Sequence, residues 1–568
     1  MARMNRKGRI HRVGVVLAVT WFAVIAWFES RSEDIDLGSE KLGEVANVIS
    51  ISADEPGVAL GVFHNGLLVH ASAYGMADLS HGVPFSLKTR SNLGSTSKQF
   101  TAFAILHLAA EGRLSLEDEV RRWIPELPEF GSVVTIRHLL THTSGYREIY
   151  QTLKLTGRRV FEDHVDRREM IDVVRYQTGL QNAPGSKWDY NNTGYGLLSM
   201  IVERVTEQSF AAFLDHQVFA PLGMTNSVVR MNPSDPVRYS ARGYQPDGDR
   251  FVETRDLGGA VGASGIYTTI NDLAIWLSHF HSGTLESRLL VQRMTTPFRL
   301  NDGRSTGYGL GLYVDRWRGL KRIFHGGDDV AHRAITVYFP EIKGGVMVLS
   351  NNAGFDQYQC ANRLAEIFFG DRLTEVKKAP GPSARELADF SRFAGRYEPR
   401  SNPGMVFTLR RDGDQLISEV AGDEYPLLPI SRNRFRVQGQ NARFEFDVDR
   451  TGEVKSAVLF HQGKQTLRRL LEGEQGGQRR DLSEFIGRYH SAELQTTYEL
   501  GVEKERLVLT SRWFQQKLPL QSVQEDRFSG ADPVSSVLFR RDEKGAVAGF
   551  RVGNGAGREF VWFERERP

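Results

Sequence analysis

The 568-residue sequence contains a single cysteine, Cys360. One thiol cannot form an internal disulfide, so the fold depends on packing alone. The net charge is only +3. Five positive charges stand before the first acidic residue: Arg3, Arg6, Lys7, Arg9 and Arg12. Without this basic head the chain is about neutral, which argues against a nucleic-acid partner.

A metal-binding motif is also missing. His138 and His142 are four residues apart, a spacing that suits a metal pair on one helix face. No His-Glu-x-x-His motif or third ligand accompanies them. We therefore predict structural roles for both histidines, and nothing in the sequence requires a metal or a cofactor.

Long hydrophobic runs are scarce, and the one at the N-terminus is short. Residues 13–28 are uncharged and mostly apolar, but a comfortable membrane helix needs about 20 residues. A basic head followed by such a run is the pattern of exported proteins. A buried core helix is disfavoured because the run has no polar face. We predict that residues 1–32 are a cleaved signal peptide or a retained membrane anchor, and that the protein is extracytoplasmic, in or facing the periplasm.

The chain is long enough for two to four domains. Strand patterns stand at both ends of the region before the linker, with helical patterns between them. Three of the strand patterns come at its C-terminal end. A hairpin signal, Asn65-Gly66, lies within residues 57–69. Helical periodicity occurs at 99–112, 135–141, 167–177, 196–206, 271–282 and 356–369, and strand patterns recur at 320–327, 334–339 and 345–352. This order predicts one α/β domain over residues 45–370, with a sheet completed by antiparallel C-terminal strands.

An internal repeat follows a Pro/Gly-rich linker, predicted at residues 371–388. "DFSRFAGRY" at 389–397 matches "DLSEFIGRY" at 481–489. Further matched positions keep the same register: Pro426 with Pro519, Phe435 with Phe528, and Gly452 with Gly545. Both copies are rich in short strand patterns and turn residues. We predict two small all-β units at 389–471 and 481–568, each an antiparallel barrel or sandwich.

"NLGSTSKQF" (92–100) introduces the first helix and raises a question about Ser95. Serine is an ordinary helix cap, but a capping box has Glu or Gln three residues on. Here Lys98 stands there, a cation at the positive end of the helix dipole. Positions i and i+3 share a helix face, and burial would lower the lysine pKa. Ser95 is thus a candidate nucleophile with Lys98 as its base, although Ser-x-x-Lys alone is a weak signal.

Two further motifs carry chemistry-bearing residues. "DYNNTGYG" (189–196) places Tyr190 and Asn192 two apart, on one side of an extended segment. A phenol can relay a proton to a leaving group, and an amide can bind a substrate carbonyl. "FHGGDD" (324–329) ends a strand pattern, and its glycines permit close approach of a substrate backbone. The Asp328 and Ser95 amides are then candidate oxyanion donors.

The three motifs together resemble the penicillin-recognising serine hydrolases: class C β-lactamases, DD-carboxypeptidases, related esterases and D-aminopeptidases. "TIRHLLTHTSGY" (135–146) and "GASGIYTTINDLAIWL" (262–277) are also similar to linking segments of that family. The resemblance implies a helical lobe against an antiparallel sheet, with the site at their seam, and small lipocalin-like barrels after it. It assigns these roles: Ser95, nucleophile; Lys98, base; Tyr190, proton relay; Asn192, His325 and Gly327, substrate binding.

The substrate class is argued from the third motif. His325 replaces the lysine of the family's Lys-Thr-Gly motif, and Asp328-Asp329 follow. Two acids repel a carboxylate and attract an amine, although Arg333 is a nearby counterweight. The barrels resemble those of three-domain D-aminopeptidases, in which a loop of the last barrel reaches toward the site. Asp532 in "DRFSGADPVSS" (526–536) is a candidate for such a contact, and an ordinary turn residue is the alternative.

Function is therefore predicted as an exported serine hydrolase acting on amide or ester bonds of small-molecule or peptide substrates, with D-aminopeptidase activity slightly favoured. The alternatives are an esterase, a DD-carboxypeptidase or β-lactamase of the class C type, and a catalytically idle protein that binds cell-wall fragments or a partner. Oligomeric state is not predicted.

Overall fold

In the computed structural model the chain divides into two compact units, residues 1–50 and 51–568. The structure describes residues 43–45, 48–49, 51–374 except 161, 256 and 284, and 390–566 except 400–405, 414, 421–422, 439–441, 450, 462–463, 472–480, 515 and 555–557. The predicted signal or anchor lies outside these residues, as does most of the predicted linker. Within the described part, no helix combines the length and apolar character needed to cross a membrane.

The strands that precede the barrels are β1 Val58–His64, β2 Leu67–Tyr74, β3 Met76–Asp78, β4 Val83–Pro84, β5 Ser91–Asn92, β6 Val228–Val229, β7 Gly243–Asp247, β8 Arg250–Thr254, β9 Ile266–Thr268, β10 Tyr313–Trp317, β11 Leu320–Asp329, β12 His332–Phe339 and β13 Gly344–Ser350. Six form an antiparallel sheet in the order β10-β11-β12-β13-β1-β2. The N-terminal hairpin pairs with the late strands through β1 and β13. The predicted completion of the sheet is confirmed.

The helices of the same region are α1 Lys98–Ala110, α2 Val120–Trp123, α3 Ile136–Leu140, α4 Ile149–Leu155, α5 Glu169–Arg175, α6 Asn192–Thr206, α7 Phe210–Leu214, α8 Ala220–Leu222, α9 Ile270–Ser282, α10 Leu285–Met294 and α11 Gln357–Phe369. Helix α1 is buried along nearly its whole length. The long, strongly periodic helices fall where the sequence predicts them. The predictions missed α2, α4, α7, α8 and α10. All of these except α10 are too short to display a clear period.

Each repeat forms a closed eight-stranded barrel. The first consists of β14 Gly395–Pro399, β15 Phe407–Asp412, β16 Gln415–Val420, β17 Asp423–Ser431, β18 Arg434–Val437, β19 Ala442–Val448, β20 Val454–His461 and β21 Lys464–Leu470. The second consists of β22 Gly487–Ser491, β23 Thr496–Glu503, β24 Arg506–Thr510, β25 Leu518–Gln524, β26 Arg527–Ser529, β27 Ser536–Arg541, β28 Val547–Asn554 and β29 Arg558–Arg565. Of the two predicted forms, an antiparallel barrel or a sandwich, both repeats thus adopt the barrel.

The repeated motif has the same structure in both barrels. A 3₁₀ turn precedes the first strand, and the motif's tyrosine then donates a hydrogen bond back to that turn. The Tyr397 hydroxyl donates to the Phe393 carbonyl at 2.9 Å, and the Tyr489 hydroxyl donates to the Phe485 carbonyl at 2.8 Å. Each barrel has its own apolar core, so closure buries both the sheet edges and the alternating inward-facing side chains.

Candidate active site

Ser95 lies in a 3₁₀ turn, Gly94–Ser97, between β5 and α1. Neither this turn nor α1 has a side-chain cap, so Ser95 does not serve as the helix cap. Ser97 is buried, and its Oγ accepts a hydrogen bond from the Ile266 amide at 3.4 Å. Of the two serines, Ser95 is therefore the one that faces Lys98.

Lys98 opens α1 and is completely buried. Its Nζ lies 2.9 Å from Ser95 Oγ, 2.8 Å from Asn192 Oδ1 and 3.0 Å from the Ala263 carbonyl oxygen. Burial lowers the pKa of Lys98 well below its ordinary value, although Glu148 and Asp329 act in the opposite direction. A neutral amine in contact with a serine hydroxyl is what a general base requires.

Tyr190 lies close to Ser95, whose side chain acts to lower the pKa of the phenol. Its ring lies 4.7 Å from Lys98 Nζ and 4.4 Å from the His142 ring. Burial raises the pKa of Tyr190 well above its ordinary value. The phenol therefore carries its proton near pH 7, as a proton donor must.

Asn192 opens α6, and both polar ends of its amide are bonded to protein. Oδ1 faces Lys98, and Nδ2 donates to Glu148 Oε1 at 2.8 Å. Glu148 is buried, and burial raises its pKa. Its other oxygen accepts from the Gln151 amide in the first turn of α4, so Glu148 caps that helix. The amide thus orients Lys98, whereas substrate contact by Asn192 stays a prediction.

Glu148 was missed by the sequence reasoning. It follows "TIRHLLTHTSGY" by two residues. The sequence signal that could have pointed to it is a Glu just before an apolar stretch, because Glu148 caps a short helix. Its proximity to Lys98 depends on the packing of α3 and α4 against α6, which periodicity does not reveal.

His325 lies inside the site wall, with 1% of its surface exposed. Nδ1 lies 2.6 Å from the Gly326 carbonyl, which only accepts hydrogen bonds, so Nδ1 carries the proton and Nε2 accepts from the Tyr308 hydroxyl at 3.0 Å. Burial lowers the pKa of His325 to about 3. The ring is therefore neutral, and both its nitrogens are engaged with protein; its predicted contact with substrate stays a prediction.

Strand β11 brings the glycines of the third motif against the Ser95 turn. Its pairing with β10 ends at Phe324, so residues 325–329 pair only with β12 among the described strands. A side chain at Gly327 would overlap the Leu93 carbonyl oxygen, and one at Gly326 would overlap the Tyr358 hydroxyl. The two glycines are thus needed because neighbouring protein atoms leave no room for a side chain. This holds whether or not a substrate approaches them.

The two candidate oxyanion donors lie on adjacent segments. A side chain on Gly94 would place its first carbon 3.0 Å from the backbone nitrogen of Asp328. In the described part of the chain the Ser95 N–H has no hydrogen-bond acceptor. This leaves a backbone donor available beside the candidate nucleophile.

The expected acidic pair does not form two free carboxylates. Asp328 lies opposite Arg333 in the β11–β12 register and pairs with its Nε at 3.2 Å. Asp329 is buried and accepts from Asn92 Nδ2 at 2.5 Å. Arg333 thus points toward the acids, and the simple argument from two negative charges loses much of its force.

The two histidines considered as a metal pair have separate structural partners. His138 completes a capping box with Thr135 at the start of α3. His142 Nδ1 accepts from the Asn191 amide at 3.0 Å, which fixes the segment that leads to Tyr190. Both side chains therefore stabilise the backbone around the site.

The second barrel contacts the helical lobe at two ion pairs. Asp532, considered above as a substrate contact, pairs with Lys154 at 3.0 Å in a half-exposed position. Arg147, beside Glu148, donates from Nε to Glu493 Oε1 at 2.5 Å. Of these two acidic residues of the last barrel, Glu493 is thus the one that contacts the segment next to Glu148.

Several known proteins are similar to this chain in sequence and in fold. The Beta-lactamase family model matches residues 42–368. Penicillin-binding protein 4* of Bacillus subtilis (strain 168) is 28% identical over 432 residues, which are 72% of this chain and 93% of that protein. The D-aminopeptidase of Brucella anthropi is 26% identical over 513 residues, 88% of this chain and 93% of that protein.

A solved structure of an octameric penicillin-binding protein homologue from Pyrococcus abyssi has a TM-score of 0.53 at 24% identity. The match covers 76% of this chain and 98% of that one. At this identity the likeness concerns the fold alone.

Proposed function

Because the chain belongs to the Beta-lactamase family, whose model matches more than half of its length, we propose that it is an exported serine hydrolase that cleaves amide or ester bonds through an acyl-enzyme on Ser95. The observation that carries the proposal is the 2.9 Å approach of Lys98 Nζ to Ser95 Oγ, with the amine completely buried.

In the proposed reaction, Ser95 Oγ attacks the substrate carbonyl carbon while its proton passes to neutral Lys98. The Ser95 and Asp328 amides stabilise the oxyanion. Tyr190 donates its proton to the leaving amine or alcohol and regains one from Lys98. Water then attacks the ester by the reverse route, which releases the acid and restores Ser95.

For the substrate, we slightly favour D-aminoacyl amides and short peptides. The support is the match with the Brucella anthropi D-aminopeptidase, which extends over 88% of this chain and so includes barrel sequence. Asp328 keeps 60% of its side chain exposed despite Arg333, which leaves one face for an ammonium group. The esterase and the DD-carboxypeptidase or β-lactamase remain the alternatives.

The decisive experiment is a substrate panel with matched serine variants. D- and L-alanyl-p-nitroanilide, p-nitrophenyl acetate, a chromogenic β-lactam and a fluorescent penicillin are given to the wild type, Ser95→Ala and Ser97→Ala. We expect turnover and covalent labelling to vanish in Ser95→Ala and to persist in Ser97→Ala. Fast ester cleavage without D-anilide cleavage would select the esterase. Stable penicillin labelling would select the carboxypeptidase, and β-lactam turnover the β-lactamase.

Absence of any covalent adduct in the wild type would favour the alternative of a catalytically idle binding protein. Export is tested separately by fractionating cells that produce the full-length chain. Recovery in the cytoplasm with an intact N-terminus would contradict it.

A further inference from the structure

The second barrel places a buried carboxylate next to the catalytic machinery. Arg147 donates to both oxygens of Glu493, from Nε at 2.5 Å and from an Nη at 3.2 Å. The two side chains are only 4% and 3% exposed. Thr178 also donates to Glu493, at 3.2 Å. Because water is excluded, the Arg147 charge depends on this carboxylate from the turn after β22.

Arg147 in turn fixes the segment that carries Glu148. Its amide donates to Gln177 Oε1 at 3.0 Å, and its carbonyl accepts from the Thr193 hydroxyl at 2.7 Å. Thr193 follows Asn192 in the first turn of α6. The guanidinium and the peptide of Arg147 are therefore held between the barrel and the residues that contact Lys98.

We propose that Glu493 is a positioning residue for the active site: it holds Arg147 so that Glu148 and Asn192 orient Lys98 toward Ser95. The inference rests on the proposed function. It makes the second barrel part of the catalytic arrangement without any contact between the barrel and the substrate.

The test uses Glu493→Gln in the full-length chain, with Asp532→Asn as the matched control. Both variants remove a carboxylate that pairs the barrel with the lobe. Only Glu493 is buried, and its partner Arg147 directly precedes Glu148 in the chain. We expect Glu493→Gln to lower kcat at least tenfold with little change in KM. The rising limb of its pH profile is expected at lower pH, because Glu148, which raises the Lys98 pKa, is no longer held. Asp532→Asn is expected to stay within twofold of wild type.

Wild-type kcat and an unshifted pH profile in folded Glu493→Gln would overturn the proposal, as would equal effects of the two variants. If Glu493→Gln does not fold, Glu493→Asp keeps the charge but shortens the reach. It is expected to lower kcat several-fold, and a wild-type rate would overturn the proposal. Ser95→Ala separates the two hypotheses, since activity in that variant removes the proposed function itself.

A second inference comes from a different observation, a cavity of about 630 Å³ where the outer face of the second barrel meets Thr178 of the helical lobe. It is lined by Thr178, Ala492, Glu493, Arg540, Arg551 and Trp562. Glu493 is already paired with Arg147. In the described part of the chain neither Arg540 nor Arg551 has an ion-pair or hydrogen-bond partner, whereas the neighbouring Arg541 pairs with both Asp526 and Glu484.

The strand register builds this cavity wall. Arg551 on β28 lies opposite Trp562 on β29, and Arg540 on β27 lies opposite Gly549. A side chain on Gly549 would come within 2.5 Å of the Trp562 ring. The Trp562 indole therefore covers Gly549. Arg551 lies directly opposite Trp562, and Arg540 lies opposite Gly549 on the next strand.

The geometry points to a binding site for a small anion with a flat apolar face. Two guanidinium groups suit a carboxylate or a phosphate, the indole offers a stacking surface, and the volume falls in the range of ligand pockets, about 300–1,000 Å³.

Calorimetric titration tests this site with benzoate, phenyl phosphate and, as a neutral probe, benzyl alcohol. We expect one or both anions to bind and benzyl alcohol not to; the stronger anion identifies the acid group. Affinity is expected to fall at least tenfold in Arg540→Gln/Arg551→Gln and in Trp562→Ala. It is expected to persist in Arg506→Gln, an exposed arginine of the same barrel outside the cavity. No anion binding, or equal binding by the double variant, would overturn the inference.

Discussion

Lys98 has three neighbouring acceptors and no access to water. Protonated, it donates to all three; neutral, it donates to Asn192 and Ala263 and accepts from the Ser95 hydroxyl through its lone pair. The second arrangement is the reactive one, and the lowered pKa of Lys98 favours it. In the proposed mechanism a single side chain thus combines anchoring with the function of the base.

The pH dependence of the reaction follows from this residue. The kcat/KM of acylation should rise with pH as Lys98 loses its proton and then level off, with the rising limb below the value of about 10.4 for a free lysine. Lys98→Arg stays charged and should lose about 10²- to 10⁴-fold in kcat/KM. A stopped-flow pH series measures both, and retained activity in Lys98→Arg would exclude the lysine as the base.

His325 gives a stability prediction. Its native pKa is about 3, against 6.5 in the unfolded chain, so between these values the unfolded state binds the extra proton. The free energy of unfolding should therefore rise with pH through this window and fall as the solution is acidified. Urea unfolding measured from about pH 3 to 6.5 gives the free energy of unfolding at each pH. Its slope against pH should be shallower in His325→Gln than in the wild type. His216→Gln, at an exposed site, should keep the wild-type slope; equal slopes in all three proteins would refute the effect.

Among the elements, β11 and the Ser95 turn define the geometry of the proposed catalytic site, because their backbones are in direct contact. Gly327→Ala would press a methyl group on the Leu93 carbonyl and displace the turn. A displacement of about 1 Å at a catalytic group can cost about 10²-fold in rate, and we expect a loss of this order in kcat/KM. Gly179→Ala, where an added methyl meets no atom within 4 Å, should be close to wild type in a parallel assay; a comparable loss there would remove the steric explanation.

The sequence predicts those parts of the fold that follow from local patterns. Helices α1, α6, α9 and α11 and the β11–β13 strands have clear periods, and Ser95 and Lys98 meet because they are one helical turn apart. The Asp328–Arg333 pair depends on the tight turn that sets the β11–β12 register. The contact of Glu148 with Asn192 and that of Arg147 with Glu493 join residues 44 and 346 positions apart. No local period encodes such pairs, so they became visible only in the folded chain.

At the scale of the whole molecule, the two barrels are used differently. The first contacts the hydrolase region through Arg436, which pairs with Asp356 before α11 at 3.0 Å in a partly exposed position. The second accepts the end of α4: Leu155 is fully buried within the barrel's own apolar core, and its carbonyl accepts from the Tyr498 hydroxyl at 2.5 Å. The end of α4 is therefore packed into the core of the second barrel.

The burial of Leu155 in this core predicts that a substitution in the helical lobe loosens the second barrel. Leu155→Ala removes apolar contacts inside the second barrel and should lower the free energy of unfolding by about 2–5 kcal/mol. Leu289→Ala, a helical leucine with 53% of its surface exposed, should change it by about 0.5 kcal/mol or less. Hydrogen exchange locates the effect: in Leu155→Ala, amides of β22–β24 should exchange faster, while those of β15–β17 in the first barrel keep their protection. Uniform loss of protection in both barrels would mean that Leu155 supports the chain generally, rather than joining the lobe to the second barrel.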